Sequence, residues 1–120
     1  MSVLEVTVTM KLDGLPLPGT PLTRRVTVDE VQQFSTEQAS GGGYATLPIT
    51  SLDQLDVLLL QPTQQITIRL SAQSDQGIVL NGGGLLLIVD AAIAAAAATN
   101  ATTSNASGST AVLTGVAGGT

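Results

Sequence analysis

A chain of 120 residues with nine carboxylates, four basic groups and a net charge of −5 fits one domain, residues 1–120. It has no clustered Lys and Arg to displace counterions from nucleic acid. It has no Cys for a disulfide or a thiolate zinc site, and no His, the commonest general base and metal ligand.

From Val3 to Lys11 the pattern alternates. Leu4, Val6, Val8 and Met10 fall on one face, and Glu5, Thr7, Thr9 and Lys11 on the other. That is the period of a half-buried strand. Asp13-Gly14 starts a turn. Leu15-Pro16-Leu17-Pro18-Gly19-Thr20-Pro21 then reads as a stiff extended arm outside regular structure, because each proline fixes φ and removes a ladder donor. Arg25 and Thr27 alternate with Val26 and Val28 in a second strand, after which 29–34 either continues it or makes a short helical turn. Ser40-Gly41-Gly42-Gly43 is a break. Val57-Leu58-Leu59-Leu60, following a short turn near 51–54, reads as a buried strand.

The segment 66–70 is the clearest strand after the first, with Ile66, Ile68 and Leu70 on one face and Thr67 and Arg69 on the other. A turn at Asp75-Gln76-Gly77 precedes Ile78-Val79-Leu80, and Asn81-Gly82 opens a glycine-rich connection into 85–90. A last strand over 110–118 is expected to break at Gly115. Strands separated by turn signals every ten residues or so indicate an all-β fold: an antiparallel sandwich, jelly-roll-like, or a small barrel, of about 7–9 strands.

The tract after Asp90, Ala91 to Ala98, is a helix by propensity. An isolated helix that short is marginal, however, and this one would have no polar face. Its setting between an apolar strand and a Thr/Ser/Asn stretch favours a strand, paired with the last strand in a Gly/Thr/Ser-rich hairpin over 91–120. Asn105-Ala106-Ser107-Gly108 supplies the reversal. The run Leu85 to Ala98 is interrupted by Asp90 and is too short to span a bilayer, and the N-terminus lacks a signal-peptide pattern. Neither a membrane span nor a signal peptide is expected.

Little here suggests chemistry. Gly41-Gly42-Gly43 and Gly82-Gly83-Gly84 lack the order of a phosphate-cradling loop and read as turns. Asp29-Glu30 and Asp53/Asp56 lack the register of a calcium loop and read as solvated turns. Arg24-Arg25, beside Asp29 and Glu30, reads as a local ion-pair cluster. Asn100-Ala-Thr and Asn105-Ala-Ser match the glycosylation pattern but read as turn chemistry. No Ser, Thr, Tyr44 or Lys11 sits in an activating context, so no catalytic residue, cofactor or metal ligand is assigned.

A core with almost no aromatics must be built from Leu, Val, Ile and Ala, and such a core gains from burial against a partner chain. With 11% charged residues the surface is poorly protected against association, which suits a component of an assembly. The candidate contacts are the arm, at Leu15, Pro16, Leu17, Pro18 and Pro21, and the loop Gly82, Gly83 and Gly84. Strand edges offer backbone for strand addition.

The segment 66-ITIRLSAQSDQGIVLNGGGLLLIVDAAI-93, followed by 99-TNATTSNASGSTAVLTGVAGGT-120, resembles small virion proteins of tailed bacteriophages. The likeness is to capsid decoration or cement-type β-sandwich proteins and, more loosely, to tail-associated accessory domains. It implies a non-enzymatic structural role in many copies per particle, located in the virion after assembly in the host cytoplasm. It also implies contact with the major capsid protein or other virion proteins. Together with the composition, this leads us to expect a homo-oligomer that binds neither nucleic acid nor membrane. The alternative is a tail- or fibre-associated module recognising a host receptor or carbohydrate.

Overall fold

A strand with apolar residues on both faces needs cover on both, and the run Val57 to Leu60 organises the fold around that need. The structure, a computed structural model, describes residues 2–49, 54–70, 77–90 and 100–119. The first half contributes β1 (Ser2–Val8), β2 (Lys11–Leu12), β3 (Leu15–Pro16), β4 (Leu22–Val28), β5 (Glu30–Gln38) and β6 (Ala45–Thr46). The second contributes β7 (Leu55–Pro62), β8 (Ile66–Arg69), β9 (Ile78–Leu80), β10 (Leu86–Val89), β11 (Thr102–Ser104) and β12 (Ala111–Gly119). The fold is all-β, as the alternation indicates. The twelve described strands exceed the expected number because several are only two or three residues long.

Two antiparallel four-stranded sheets form the sandwich, ordered β10-β7-β12-β5 and β6-β11-β8-β9. Both are open at their edges, so no barrel closes. The core between them takes Leu58 and Leu60 from β7, Leu113 and Ala117 from β12, and Ile66 and Ile68 from β8, closed at the ends by Leu47, Leu80 and Ala101. The alternation predicted for 66–70 is observed: Ile66 and Ile68 are buried, while Thr67 and Arg69 point away from the core.

A two-stranded ribbon, β1 paired antiparallel with β4, makes a third layer against the opposite face of the first sheet. It continues into a small hairpin in which Lys11 and Leu12 pair with Pro16 and Leu15. Asp13 (φ 52°) and Gly14 (φ 81°) turn that hairpin, the positive-φ pair that a two-residue Asp-Gly reversal requires. Leu15-Pro16 is therefore paired, contrary to the expectation of irregular chain from Leu15 to Pro21. Pro16 is tolerated because β3 is an edge strand, where the missing donor faces no neighbour.

Of the two alternatives for 29–34, strand is observed from Glu30 onward, as the start of the separate strand β5. Two further expectations are corrected. The last strand runs unbroken through Gly115, which is a point of close approach: a Cβ there would strike the Leu59 carbonyl oxygen and sit 2.8 Å from Phe34 Cζ. Arg24 and Arg25 do form ion pairs, but with Asp90 and Glu5 rather than with the adjacent Asp29 and Glu30: pairing of β4 with β1 sets Arg25 opposite Glu5, and the seat of the ribbon on the first sheet brings Arg24 to Asp90, just past β10.

The strand expected over 91–98 lies outside the described residues. Over the described part of 91–120 no hairpin forms: β11 pairs with β6 and β8, whereas β12 is flanked by β5 and β7 in the other sheet. The reversal at Asn105 instead carries the chain from one sheet to the other. Asn105 is buried and donates from Nδ2 to the Gln38 and Ser109 carbonyls, both at 2.8 Å. Its Oδ1 accepts from the Ser107 N–H at 3.0 Å and the Ser107 hydroxyl at 2.7 Å.

Candidate interaction surface

The outer face of the first sheet is apolar in rows that cross its strands. Register places Val89, Val57, Gly118 and Val31 in one row, and Leu87, Leu59, Val116 and Gln33 in the next. The ribbon sits on the first row. Its Leu4, Val6, Val26 and Val28 pack with Val57 and Val89. Gly118 lets it approach: a Cβ at that position would lie 3.3 Å from Leu4 Cδ2 and 3.5 Å from Val28 Cγ1. The seat is pinned at one end by Asp29 N–H donating to the Gly119 carbonyl at 2.9 Å, and at the other by Arg24 Nε donating to Asp90 Oδ2 at 2.6 Å.

Among the described residues nothing covers the second row fully. Leu59, Leu87 and Val116 form the floor of an open groove of about 280 Å³ whose wall is β1 from Leu4 to Thr7. The wall is a strand edge, since among the described residues β1 pairs with β4 alone.

Beyond Arg24 the ribbon leaves the sheet. On its inner face the cross-strand pairs Leu4/Val26 and Val6/Arg24 are seated. The next pairs are Val8/Leu22, then Met10/Leu17, where the Leu17 N–H donates to the Met10 carbonyl at 2.9 Å, and then Leu12/Leu15 at the tip. A shallow space of about 210 Å³ under Val6, Val8 and Leu22 is bounded on the sheet side by Val89 alone. Past it the side chains are bare: Leu22 is 64% exposed, Met10 58%, Leu12 64% and Leu15 71%.

The structure therefore places Leu15 at the tip of the arm, with Pro16, Pro18 and Pro21 exposed and Leu17 half-buried. It does not bring the loop Gly82, Gly83 and Gly84 into this surface. That loop precedes β10, whereas the ribbon crosses at the strand's far end, beside Val89 and Asp90. It is held instead to the end of β7, with the Gly83 N–H donating to the Pro62 carbonyl at 2.7 Å and Gln61 Nε2 to the Gly83 carbonyl at 3.0 Å. Sequence reasoning missed Met10, Leu12 and Leu22, and it missed the groove floor. The signal for the first two was present, since the alternation of β1 carries on through Met10 to Leu12.

On the opposite side of the molecule, Arg69 lies with its guanidinium carbon 3.6 Å from the centroid of the Tyr44 ring. Its Nε is buried and has no hydrogen-bond partner among the described residues. Among the described residues no group of three or more carboxylates gathers as a metal site, and no helix is long and apolar enough to cross a membrane. No protein-family model, curated protein or solved structure matches the chain.

Proposed function

We propose that the chain is a non-catalytic structural protein of a phage particle, one that decorates or cements the capsid shell by protein–protein contacts made through the projecting ribbon. The phage setting rests on the resemblance of 66–93 and 99–120. The mode of action rests on one observation, the apolar ladder left bare at Leu22, Met10, Leu12 and Leu15. Covering each of these side chains contributes about 1–2 kcal/mol, and little of that depends on salt. A segment already held as a hairpin by its own backbone pairing loses less conformational entropy on docking than an unpaired one, which raises affinity for a given area.

The test is uptake of the purified chain onto empty capsids built from the major capsid protein. The expected result is stoichiometric, salt-insensitive binding that raises the melting temperature of the shell. Leu12→Glu with Leu15→Glu should abolish it without unfolding the protein, because both side chains are exposed. Uptake unchanged by that double substitution would sink the mode of action, and no uptake at all would sink the capsid role.

A second reading, a tail- or fibre-associated module for a host receptor or carbohydrate, is favoured by the Arg69–Tyr44 stack. A guanidinium lying on an aromatic ring is a platform for an acidic sugar. Retention on a glycan array, lost in Arg69→Ala, is the outcome that selects it.

A further inference from the structure

We infer that the occupant of the open groove beside β1 is the projecting arm of a second copy of this chain, so that copies join arm into groove. This rests on the assembly reading and names one of its partners. It starts from the contact already made within one chain, where an aliphatic ladder, Leu4, Val6, Val26 and Val28, lies on an aliphatic row, Val57 and Val89. The uncovered row, Leu59, Leu87 and Val116, is the same surface one step along the same strands. The bare part of the ladder, Met10, Leu12, Leu15 and Leu22, is the same ribbon continued outward. Among the described residues each chain thus carries an open seat and a bare occupant of the same chemistry.

The two cannot meet within one chain. β1 is the wall of the groove from Leu4 to Thr7 and also the strand that carries the ladder away from it. Folding the tip back would require β1 to unpair from β4 and the Arg24–Asp90 contact to break. Charge does not oppose the contact between copies. Neither the bare ladder nor the groove floor has an ionisable side chain, and the Glu5 carboxylate on the wall is already held by Arg25 Nε at 2.8 Å. The free edge of β1 also offers backbone donors and acceptors to an incoming strand. Because arm and groove are different surfaces, the contact is head-to-tail and builds rings or filaments rather than a closed two-fold dimer.

The experiment is sedimentation of the full-length chain, alone and mixed. Wild type should associate with a Kd of about 10 µM or tighter. The arm variant (Leu12→Glu with Leu15→Glu) and a groove variant, Leu87→Glu, should each associate at least about 10-fold more weakly. Mixed, they should recover a one-to-one dimer that grows no further, since the first keeps an intact groove and the second an intact arm. If Leu87→Glu lowers the melting temperature, Leu87→Gln, which makes the groove floor polar without adding a charge, replaces it.

A wild type that stays monomeric, an arm variant that associates as wild type does, or a mixture that restores no dimer would each overturn the inference. Monomeric wild type with arm-dependent capsid uptake would leave the assembly reading standing. Self-association without capsid uptake would do the reverse.

Discussion

On the inner face of β7, Leu58 and Leu60 are sealed by a second four-stranded sheet, whereas on its outer face Leu59 lies half covered beside a two-stranded ribbon. The side chains are the same and alternate along one strand, so the difference lies in the width of the cover. β7 has eight residues and is about 26 Å long at roughly 3.3 Å per residue. A ribbon crossing it is two strands, about 10 Å, wide. Such a ribbon hides the row through Val57 and leaves the row through Leu59 open. The inner face is covered by the second sheet, and among the described residues the outer face is covered only in part.

Alanine substitution should expose this difference most sharply. Leu58 is fully buried, and Leu58→Ala is expected to cost about 2–5 kcal/mol, the transfer of the side chain plus the cavity it leaves. Leu59→Ala, one residue along, removes the same atoms from a groove that water already reaches, and should cost about 1 kcal/mol. Urea denaturation of the two variants measures both values. Equal losses would mean that the outer face is as closed in solution as the inner one.

How far this asymmetry could be read from the sequence depends on the range of each interaction. Period-two alternation in 66–70 and in Leu4 to Val8 is local, and it gave the correct faces. The unbroken run Val57 to Leu60 announced a strand covered on both sides. It could not say by what, because the covering ribbon comes from residues 2–28 and is chosen by non-local packing on Gly118 and Val57. The same limit applies to the projecting surface. Met10 and Leu12 follow from parity, but Leu22 joins them only because β4 pairs with β1 in a register that sets Leu22 opposite Val8. Asn105 was legible as a reversal, since Asn, Ser and Gly make turns locally. That the reversal passes between sheets was not legible, because it depends on β5 and β7 already occupying both edges of β12.

Lifting the ribbon tests whether its seat is separable from the sandwich. Gly118→Val introduces atoms where even a Cβ would stand 3.3 Å from Leu4 Cδ2, and it is expected to cost about 1–3 kcal/mol. Hydrogen exchange should then show the amides of β1 and β4 losing protection while those of β8 keep theirs, the pattern of a locally opening unit. If protection fell uniformly across both sheets, ribbon and sandwich would be one cooperative structure, and the contrast between the two faces of β7 would carry no dynamic consequence.

The smallest effect is expected at the outer end of the seat, where Arg24 bridges from β4 to Asp90 just beyond β10. Both side chains are substantially exposed, so solvent screens the attraction, and Arg24→Gln should cost only about 0.2–1 kcal/mol. The pair is worth testing for its position, since it is the last tie between ribbon and sheet before the bare ladder begins. Breaking it should leave the melting temperature nearly unchanged while raising hydrogen exchange at Thr23 and Val8, and high salt should produce the same local change in the wild type. A melting temperature that fell by as much as in Gly118→Val would show that the ion pair, rather than the aliphatic row beneath Val6 and Val26, holds the ribbon down.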